Sequence, residues 1–320
     1  MKKYTKKNYP KKARVDVYQL VTDRVIAGLK EKGLSWFKSW TDKYGNHLAP
    51  INRATGNEYR GVNIFLLNSC AVNNGYEANE WVSFKQAQDL GGNVKKGEKS
   101  TETIYWMISY KDKDTGIFYA TKKKLEDAGF SENDKNIQKF FTPKIWRVFN
   151  IEQCDNIKPS RVMKKVEEKS ENKIIEDAQA VYSNMLKKPE LTHGGVGAYY
   201  MPNKHLINMP KMDSFFSSDD YYHVLFHEMI HSTGHETILN RKTLVESHGF
   251  GSDNYSKEEL VAEIGAEFLS SIIGLNPKSD EKNSQAYING WVKQLTDHPK
   301  MVLQASQQST KAVEYILTGK

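Results

Sequence analysis

Cysteines and long apolar runs are scarce in this sequence. Only two cysteines, Cys70 and Cys154, occur among its 320 residues, and neither has a metal-binding spacing. Both are expected to be reduced, buried thiols, which argues against a disulfide-stabilised scaffold and favours a cytoplasmic protein. No apolar run approaches the roughly 20 residues of a membrane span. The lysine-rich start also lacks the apolar segment of a secretory signal. We therefore expect a cytoplasmic chain without membrane contact.

Charge is unevenly distributed along the chain. Residues 1–155 contain 27 Lys and Arg against 18 Asp and Glu, whereas residues 156–320 contain 19 against 21. The first part therefore carries a net charge of +9 and the second −2. A polyanion is the simplest partner for the basic part, although a solvated lysine-rich surface would give the same composition. Residues 1–12 contain six lysines and no acid, which predicts a disordered basic arm.

Two histidines and a glutamate form the pattern H-E-x-x-H at His227, Glu228 and His231. On a helix, residues i and i+4 project from one face, so both imidazoles can bind one metal ion. The metal would lower the pKa of a water molecule, and Glu228 could take its proton as general base. Apolar neighbours predict a buried helix, with N-cap candidates at 217–220. The pattern is typical of zinc peptidases, although an ordinary helix with two histidines can also contain it.

A third metal ligand is expected on a second amphipathic helix, at residues 256–269. Its apolar positions recur at helical spacing, and Glu259, Glu263 and Glu267 lie one turn apart on a single stripe. Three stacked carboxylates beside an apolar face would repel each other, so at least one of them is expected to meet a cation.

Residues 258–263 resemble the third-ligand helix of gluzincin-type peptidases. The resemblance implies that Glu259 binds the metal and that Glu263 supports a ligand histidine from behind, and the reverse assignment stays open. His235 extends the histidine stripe by one turn and competes for the same role, but Gly234 is expected to end the helix before it. This ligand set suits Zn²⁺ and tolerates another divalent metal such as Mn²⁺.

Aromatic residues alternate with basic residues across 36–110. Single-stranded nucleic acid binds to such a pattern, because bases stack on aromatic rings while cations follow the phosphates. Taken singly, most of these aromatics fit a hydrophobic core equally well. Several candidates lie instead in polar, glycine-containing loops. The candidate DNA-binding residues are Trp36, Trp40, Arg53, Tyr59, Arg60, Asn63, Lys95, Lys96 and Lys99.

The periodicity of the chain predicts both helices and strands. Residues 111–143 are highly charged and are interpreted as an insertion. Residues 198–209 predict a hairpin, whose edge could receive a substrate backbone beside the metal helix. Helices are predicted at 13–32, 62–72, 171–187, 281–297 and 300–318, a strand followed by a helix at 81–90, and strands at 101–110 and 144–151.

Four motifs of the basic part resemble the N-terminal domain of ArdC-type antirestriction proteins. They are W-x-x-x-W at 36–40, A-P-x-N-x-x-T-G-x-x-Y-R-G-x-N at 49–63, W-x-x-F-x-Q-A at 81–87 and G-x-x-V-x-K-G-E-K at 91–99. The resemblance implies an α+β chain of two domains, a single-stranded-DNA-binding domain at 13–155 and a zincin-like metallopeptidase domain at 171–320. Residues 156–170 are expected to link them.

The resemblance implies a protein of a mobile genetic element that binds single-stranded DNA and protects incoming DNA from host restriction. Three interpretations follow. The peptidase could act on DNA-bound host proteins, the metal site could merely stabilise a DNA-shielding protein, or the chain could assist a primase or conjugation. Glu228 favours the first over the second, because a structural site needs no general base and usually has four protein ligands.

Overall fold

The computed structural model describes residues 16–32, 49–161, 175–246, 253–277 and 285–320. The predicted basic arm at 1–12 and the candidate DNA-binding residues Trp36 and Trp40 lie outside these ranges. Within them, no helix is long and apolar enough to cross a membrane.

The described residues up to 161 combine helices with a mixed sheet. The helices are α1 (Val17–Lys32), α2 (Val62–Asn74), α3 (Phe84–Asp89) and α4 (Lys122–Asp127). The strands are β1 (Ile51–Asn52), β2 (Glu80–Val82), β3 (Asn93–Val94), β4 (Thr101–Asp112), β5 (Phe118–Tyr119), β6 (Ile137–Asn150) and β7 (Cys154–Asp155). The main sheet has the order β1-β2-β6-β4-β5, and β3 pairs separately with β7.

The described residues from 175 onward are mostly helical. The helices are α5 (Glu176–Asn184), α6 (Ser218–Thr233), α7 (Lys242–Val245), α8 (Asp253–Ile273), α9 (Gln285–Asp297) and α10 (Met301–Thr318). Strands β8 (Glu190–His193), β9 (Tyr199–Met201) and β10 (Leu206–Met209) form a sheet of order β8-β10-β9. The predicted α+β class is therefore confirmed.

The long hairpin of β4 and β6 extends beyond its predicted ends. The two strands pair antiparallel without a break from Thr101 opposite Val148 to Asp112 opposite Ile137. The interpretation of 111–143 as a separate insertion is therefore wrong at both ends, which continue the strands. Most residues of β6 between 138 and 147 are exposed or only partly buried. Because solvated strand positions tolerate charge, the apolar alternation fades there although the backbone pairing continues.

The predicted hairpin at 198–209 is confirmed as β9 and β10, which pair antiparallel. No sequence pattern predicts β8, which pairs parallel with β10 from Glu190 opposite Leu206 to His193 opposite Met209. Only Leu191 of β8 is strongly apolar, so this short strand lacks the alternation that predicts a half-buried strand. Strand β9 remains at the edge of the sheet.

One hydrophobic cluster extends through both parts of the chain. It includes Val21 and Val25 of α1, Phe65 of α2, and residues of α6, α8 and α10. The ring of Phe65 stacks on that of Phe268 of α8, with 5.9 Å between centroids. The hydroxyl of Thr22 donates to the carbonyl oxygen of Pro299 at 2.7 Å. Helices α1 and α2 therefore pack directly on the helical part that carries the candidate metal ligands.

Candidate metal centre and nucleic-acid surface

Helix α6 carries the H-E-x-x-H residues and has a clear start and end. The hydroxyl of Ser217 accepts from the backbone N–H of Asp220 at 3.2 Å, so Ser217 is the N-cap. Asp219 and Asp220 lie in the first turn, where the helix dipole favours negative charge. The helix ends at Gly234. Nearly every side chain of the last three turns is buried, which holds the helix rigidly in the core.

Three side chains converge at one point between α6 and α8. The Nε2 atoms of His227 and His231 lie 3.1 Å apart. One carboxylate oxygen of Glu259 lies 3.3 Å from Nε2 of His231, and the other lies 3.6 Å from Nε2 of His227. In a tetrahedral site with metal–ligand bonds of about 2.0–2.1 Å, neighbouring ligand atoms are about 3.3 Å apart. The spacing of the three residues therefore suits one divalent metal ion.

The ring of His231 is held from behind by Glu258. Its Nδ1 lies 3.2 Å from the Oε1 of Glu258, whose oxygens also accept from Arg241 at 2.5 Å and from the hydroxyl of Thr243 at 2.5 Å. The same arginine donates to the carbonyl oxygen of Ile230 at 2.7 Å. All of these groups except Thr243 are buried. This network fixes the ring and leaves Nε2 directed toward Glu259, as carboxylates do behind metal-binding histidines.

The charges of this network shift two pKa values. Burial raises the pKa of Glu258, but Arg241 and His231 outweigh it and lower the pKa to about 2. Burial lowers the pKa of His231, but hydrogen bonds with Glu258 and Glu259 outweigh it and raise the pKa to about 10. A metal binding at Nε2 would have to displace the proton that the carboxylates favour there, so metal binding would release protons.

The ring of His227 faces a different carboxylate. Its Nδ1 lies 3.7 Å from Oε1 of Glu263, one turn after Glu259 on α8. Glu228 lies on the same turn of α6 and is 7% exposed. His235 follows Gly234 outside the helix, and its Nδ1 lies 3.0 Å from the hydroxyl of Thr237. The geometry thus brings Glu259 and Glu263 to the two histidines and directs His235 elsewhere.

Close packing of α6 on α8 sets these distances. A Cβ atom placed on Gly265 would lie 2.6 Å from Cδ1 and 2.7 Å from Cγ1 of Ile230. Glycine therefore allows the two helices to approach closely, less than two turns from Glu259. Neither Glu258 nor Arg241 was identified as a site residue from the sequence. The Glu258-Glu259 pair was the available signal, since adjacent helix positions point in different directions.

The predicted DNA-binding cations differ in what they contact. Arg60, Lys96 and Lys99 are exposed. The Nζ of Lys95 donates to the carbonyl oxygen of Glu152 at 2.8 Å, so this lysine supports the turn before β4. Arg53 is half-buried, and its Nε lies 3.4 Å from the fully buried carboxylate of Glu80. Arg53 therefore has a structural partner that the sequence did not predict.

Several residues of the motif at 49–63 make internal contacts that stabilise the local structure. The side chain of Asn52 accepts from the backbone N–H groups of Ala54 and Thr55, which closes the turn. Tyr59 packs on the cluster around Trp81, and burial raises the pKa of its hydroxyl to about 12. Asn63 exchanges two hydrogen bonds of 2.7 Å with the backbone of Ile104 on β4. The amide of Asn63 thus ties α2 to the long hairpin.

Comparisons with known proteins agree with both parts of the chain. The family described as the N-terminal domain of anti-restriction factor ArdC matches residues 15–149, and the family described as zincin-like metallopeptidase matches residues 176–308. The crystal structure of the antirestriction protein ArdC from plasmid R388, in its metal-free form, superposes with a TM-score of 0.72 at 28% identity. That match covers 95% of this chain and 97% of the other. The Mn(II)-bound form of the same protein gives a TM-score of 0.69.

Two Escherichia coli proteins named DNA primase TraC are also similar. They are 32% and 30% identical to this chain over 309 and 304 residues. These matches cover 94% of this chain but 20% and 27% of the relatives, so the chain spans about a quarter of their length or less. An uncharacterised protein of Sinorhizobium fredii, y4eC, is 26% identical, and the match covers 91% of it.

The zincin-like domain and the Mn(II)-bound relative support a divalent metal ion as cofactor. Both family matches and the superposition over nearly the whole length point to the same two-domain arrangement. The chain therefore belongs to the ArdC-type antirestriction family, with an ArdC-type N-terminal domain followed by a zincin-like metallopeptidase domain.

Proposed function

We propose that this protein binds single-stranded DNA and hydrolyses peptide bonds of DNA-bound proteins at a metal centre, and thereby protects incoming DNA from restriction. The observation that most directly supports the hydrolytic part is the ligand triangle of His227, His231 and Glu259, with separations of 3.1–3.6 Å. Glu228 lies between the two histidines on the same helix. The triangle offers three protein ligands, which is the number that catalytic zinc sites use.

The residues of the site have distinct roles in this proposal. His227, His231 and Glu259 would hold Zn²⁺ or another divalent ion such as Mn²⁺, which supplies Lewis-acid activation of water and of the peptide carbonyl. Glu228 accepts the proton of the attacking water and returns it to the leaving amine. Glu258 and Glu263 orient the two imidazole rings from behind. Burial of the centre excludes competing ligands from most directions.

The edge strand β9 is the proposed docking site for the substrate backbone. It lies at the outside of the β8-β10-β9 sheet and contacts α6. An extended peptide can add to such an edge by main-chain hydrogen bonds, which fixes its direction without requiring a particular sequence. Tyr199 on this strand is 47% exposed and can contact an arriving side chain.

The DNA-binding part of the proposal depends on the basic N-terminal domain. The exposed residues Arg60, Lys96 and Lys99 are proposed to contact phosphates, together with Lys95. Each phosphate contact releases a counterion, so affinity should fall with salt and the slope should report the number of contacts. Replacing Arg60 or Lys96 by Gln should weaken binding and flatten this slope.

A second candidate function is accessory work in replication or conjugation. It is favoured by the similarity to the two proteins named DNA primase TraC. In this alternative the chain delivers or shields single-stranded DNA, and the metal centre stabilises the fold.

The test is proteolysis of DNA-bound proteins by the wild type and by Glu228→Gln at matched metal content, with and without single-stranded DNA. Cleavage that is lost in the variant and increased by DNA is expected. Glu236→Gln, at an exposed position just after α6, is the matched control and should cleave like the wild type. Absence of cleavage by all three proteins, with DNA binding intact, would reject the peptidase and leave DNA shielding.

A further inference from the structure

A cleft of about 800 Å³ lies between the two domains. One wall is the β4–β6 hairpin, which contributes Tyr105, Phe141 and Trp146. The facing wall is α10 of the metallopeptidase domain, which contributes Gln307 and Lys311, and Arg60 lies at the junction. Pockets of about 300–1,000 Å³ accommodate drug-sized ligands, so a nucleotide fits here.

The aromatic residues of this cleft are unusually exposed for their size. Tyr105 is 43% exposed, Phe141 is 52% exposed and Trp146 is 55% exposed. The rings of Tyr105 and Trp146 meet edge to face, with centroids 5.8 Å apart and planes at 90°. Tyr105 and Trp146 share one face of the hairpin, and Phe141 lies on the other. Adjacent exposed aromatic rings mark an interaction site. Planar rings with open faces fit planar ligands.

Charge around the cleft favours an anionic ligand. Arg60 and Lys311 line it, and Glu58 is the one carboxylate among the described lining residues. Lys144 pairs directly with Tyr105 across the hairpin, on the same face as Trp146. A ligand that combines flat aromatic rings with negative charge matches this surface better than an apolar peptide does. Single-stranded nucleic acid has both properties.

The two walls are fixed to each other by direct contacts. The backbone N–H of Val62 donates to the hydroxyl of Ser306 on α10 at 2.6 Å, in a buried position. A Cβ atom on Gly61 would lie 2.6 Å from the same hydroxyl, so only glycine permits this approach. Asn63 holds the β4 backbone at Ile104. The cleft is therefore preorganised, which reduces the entropy lost on binding.

We propose that an unpaired base of single-stranded DNA stacks on the ring of Trp146 beside Tyr105 in this cleft, while the neighbouring phosphates contact Arg60 and Lys311. This proposal rests on the proposed DNA binding and adds that the metallopeptidase domain contributes directly to it. Helix α10 also packs on α8, where the hydroxyl of Ser309 donates to the carbonyl oxygen of Val261 at 2.7 Å. A bound strand therefore contacts α10, which packs on α8, the helix that carries Glu259.

The stacking part is tested with a fluorescent oligothymidylate of about 12 nucleotides, within the usual ~4–16-nucleotide footprint. Fluorescence anisotropy with the full chain should show that Trp146→Ala weakens binding by roughly ten- to hundredfold. Trp146→Phe should restore most of the affinity, because it keeps a ring. Phe118→Ala removes a 59% exposed ring on β5 that does not line the cleft, and should bind like the wild type.

The contribution of the metallopeptidase domain is tested by Lys311→Gln. This variant should lower the salt slope of binding by about one unit. Lys293→Gln, an exposed lysine of α9 that does not line the cleft, is the matched control and should leave the slope unchanged. Photo-crosslinking with 5-iodouracil in the same oligonucleotide should label Trp146 or Tyr105.

The results of these experiments distinguish a wrong assignment of the cleft from a wrong assignment of DNA binding. If the wild type binds the oligothymidylate and Trp146→Ala and Lys311→Gln bind equally well, the cleft is not the site and DNA binding lies elsewhere. If the wild type does not bind the oligonucleotide, the proposed DNA binding itself is wrong. Equal melting temperatures of Trp146→Ala and Trp146→Phe would ensure that a loss of affinity is not a loss of folding.

Discussion

The Oε1 atom of Glu258 lies 3.2 Å from Nδ1 of His231, on the side of the ring opposite the metal-facing Nε2. The carboxylate is buried and is anchored by Arg241 and Thr243. Its contacts therefore fix the orientation of the ring before any metal arrives. Adjacent residues of α8 serve one histidine from two sides, since Glu259 approaches the opposite nitrogen.

Replacing Glu258 by Gln should lower metal affinity by roughly 10–100-fold, because the ring of His231 loses its charged partner. Removal of the whole side-chain carboxyl group in Glu258→Ala should also destabilise the fold by about 3–5 kcal/mol, since Arg241 would remain buried without its carboxylate partner. Chelator competition with Zn²⁺ and Mn²⁺ measures the first effect, and thermal unfolding measures the second.

Glu246→Gln is the matched control for this prediction, because Glu246 has a 57% exposed side chain on the surface. It should leave both metal affinity and stability unchanged, as exposed ion pairs contribute about 0–1 kcal/mol. Wild-type affinity in Glu258→Gln would mean that α6 alone orients the histidine.

The two glutamates on the metal side are expected to respond differently to the same change. Glu259→Gln removes a charged oxygen that lies 3.3 Å from Nε2 of His231, so metal binding should be lost at stoichiometric concentrations. Glu263→Gln removes the carboxylate behind His227, 3.7 Å from Nδ1, and should lower affinity by roughly 10–100-fold. Metal content after gel filtration measures both. A more severe loss in Glu263→Gln would reverse the ligand assignment.

Local signals in the sequence predict those parts of the candidate metal centre that depend on one helix. The i, i+4 spacing of His227 and His231 and the stripe of carboxylates on α8 follow directly from helical geometry. Arg241 could not be predicted in this way. It reaches Glu258 only because α6 and α8 pack together, which is a property of the tertiary structure.

For the candidate DNA-binding residues, the local sequence does not reveal which side chains are exposed and which are used in internal contacts. Asn63 looks like a surface donor in the sequence because it lies in a polar, glycine-containing stretch. In the structure its amide binds the backbone of Ile104, a residue 41 positions away. Likewise, the exposed Trp146 lies on a strand whose pattern predicts a core residue equally well. Alternation along one strand does not reveal which face another domain covers.

Replacing Gly265 by Ala should weaken the metal centre by separating α6 from α8. The added methyl group would lie within 2.7 Å of two carbon atoms of Ile230, so the helices must shift. Overpacking of this kind costs about 1–3 kcal/mol. Gly290→Ala on α9 is the control, because a Cβ there meets nothing within 4 Å and should stabilise the helix by about 0.5–1 kcal/mol. Urea unfolding and metal titration should show losses in Gly265→Ala alone.

Replacing Gly61 by Ala should disturb the contact between the two domains more than replacing Gly56 by Ala. Both glycines have positive φ, 63° and 73°, so alanine is strained at either position. At Gly56 a Cβ meets nothing within 4 Å, and the expected loss is about 1–2 kcal/mol from the backbone alone. At Gly61 the same atom would lie 2.6 Å from the hydroxyl of Ser306, which adds about 1–3 kcal/mol of overpacking.

The difference between these two variants therefore combines the interdomain contact with the greater backbone strain at Gly61, whose φ of 63° and ψ of −147° are essentially restricted to glycine. Urea denaturation should give a lower unfolding midpoint for Gly61→Ala than for Gly56→Ala. Because Gly61 also lines the cleft, Gly61→Ala should bind oligothymidylate more weakly under conditions where both variants remain folded. Equal midpoints would mean that α10 moves away from α2 at little cost, and the two domains would then be coupled more loosely than the buried hydrogen bond from Val62 to Ser306 implies.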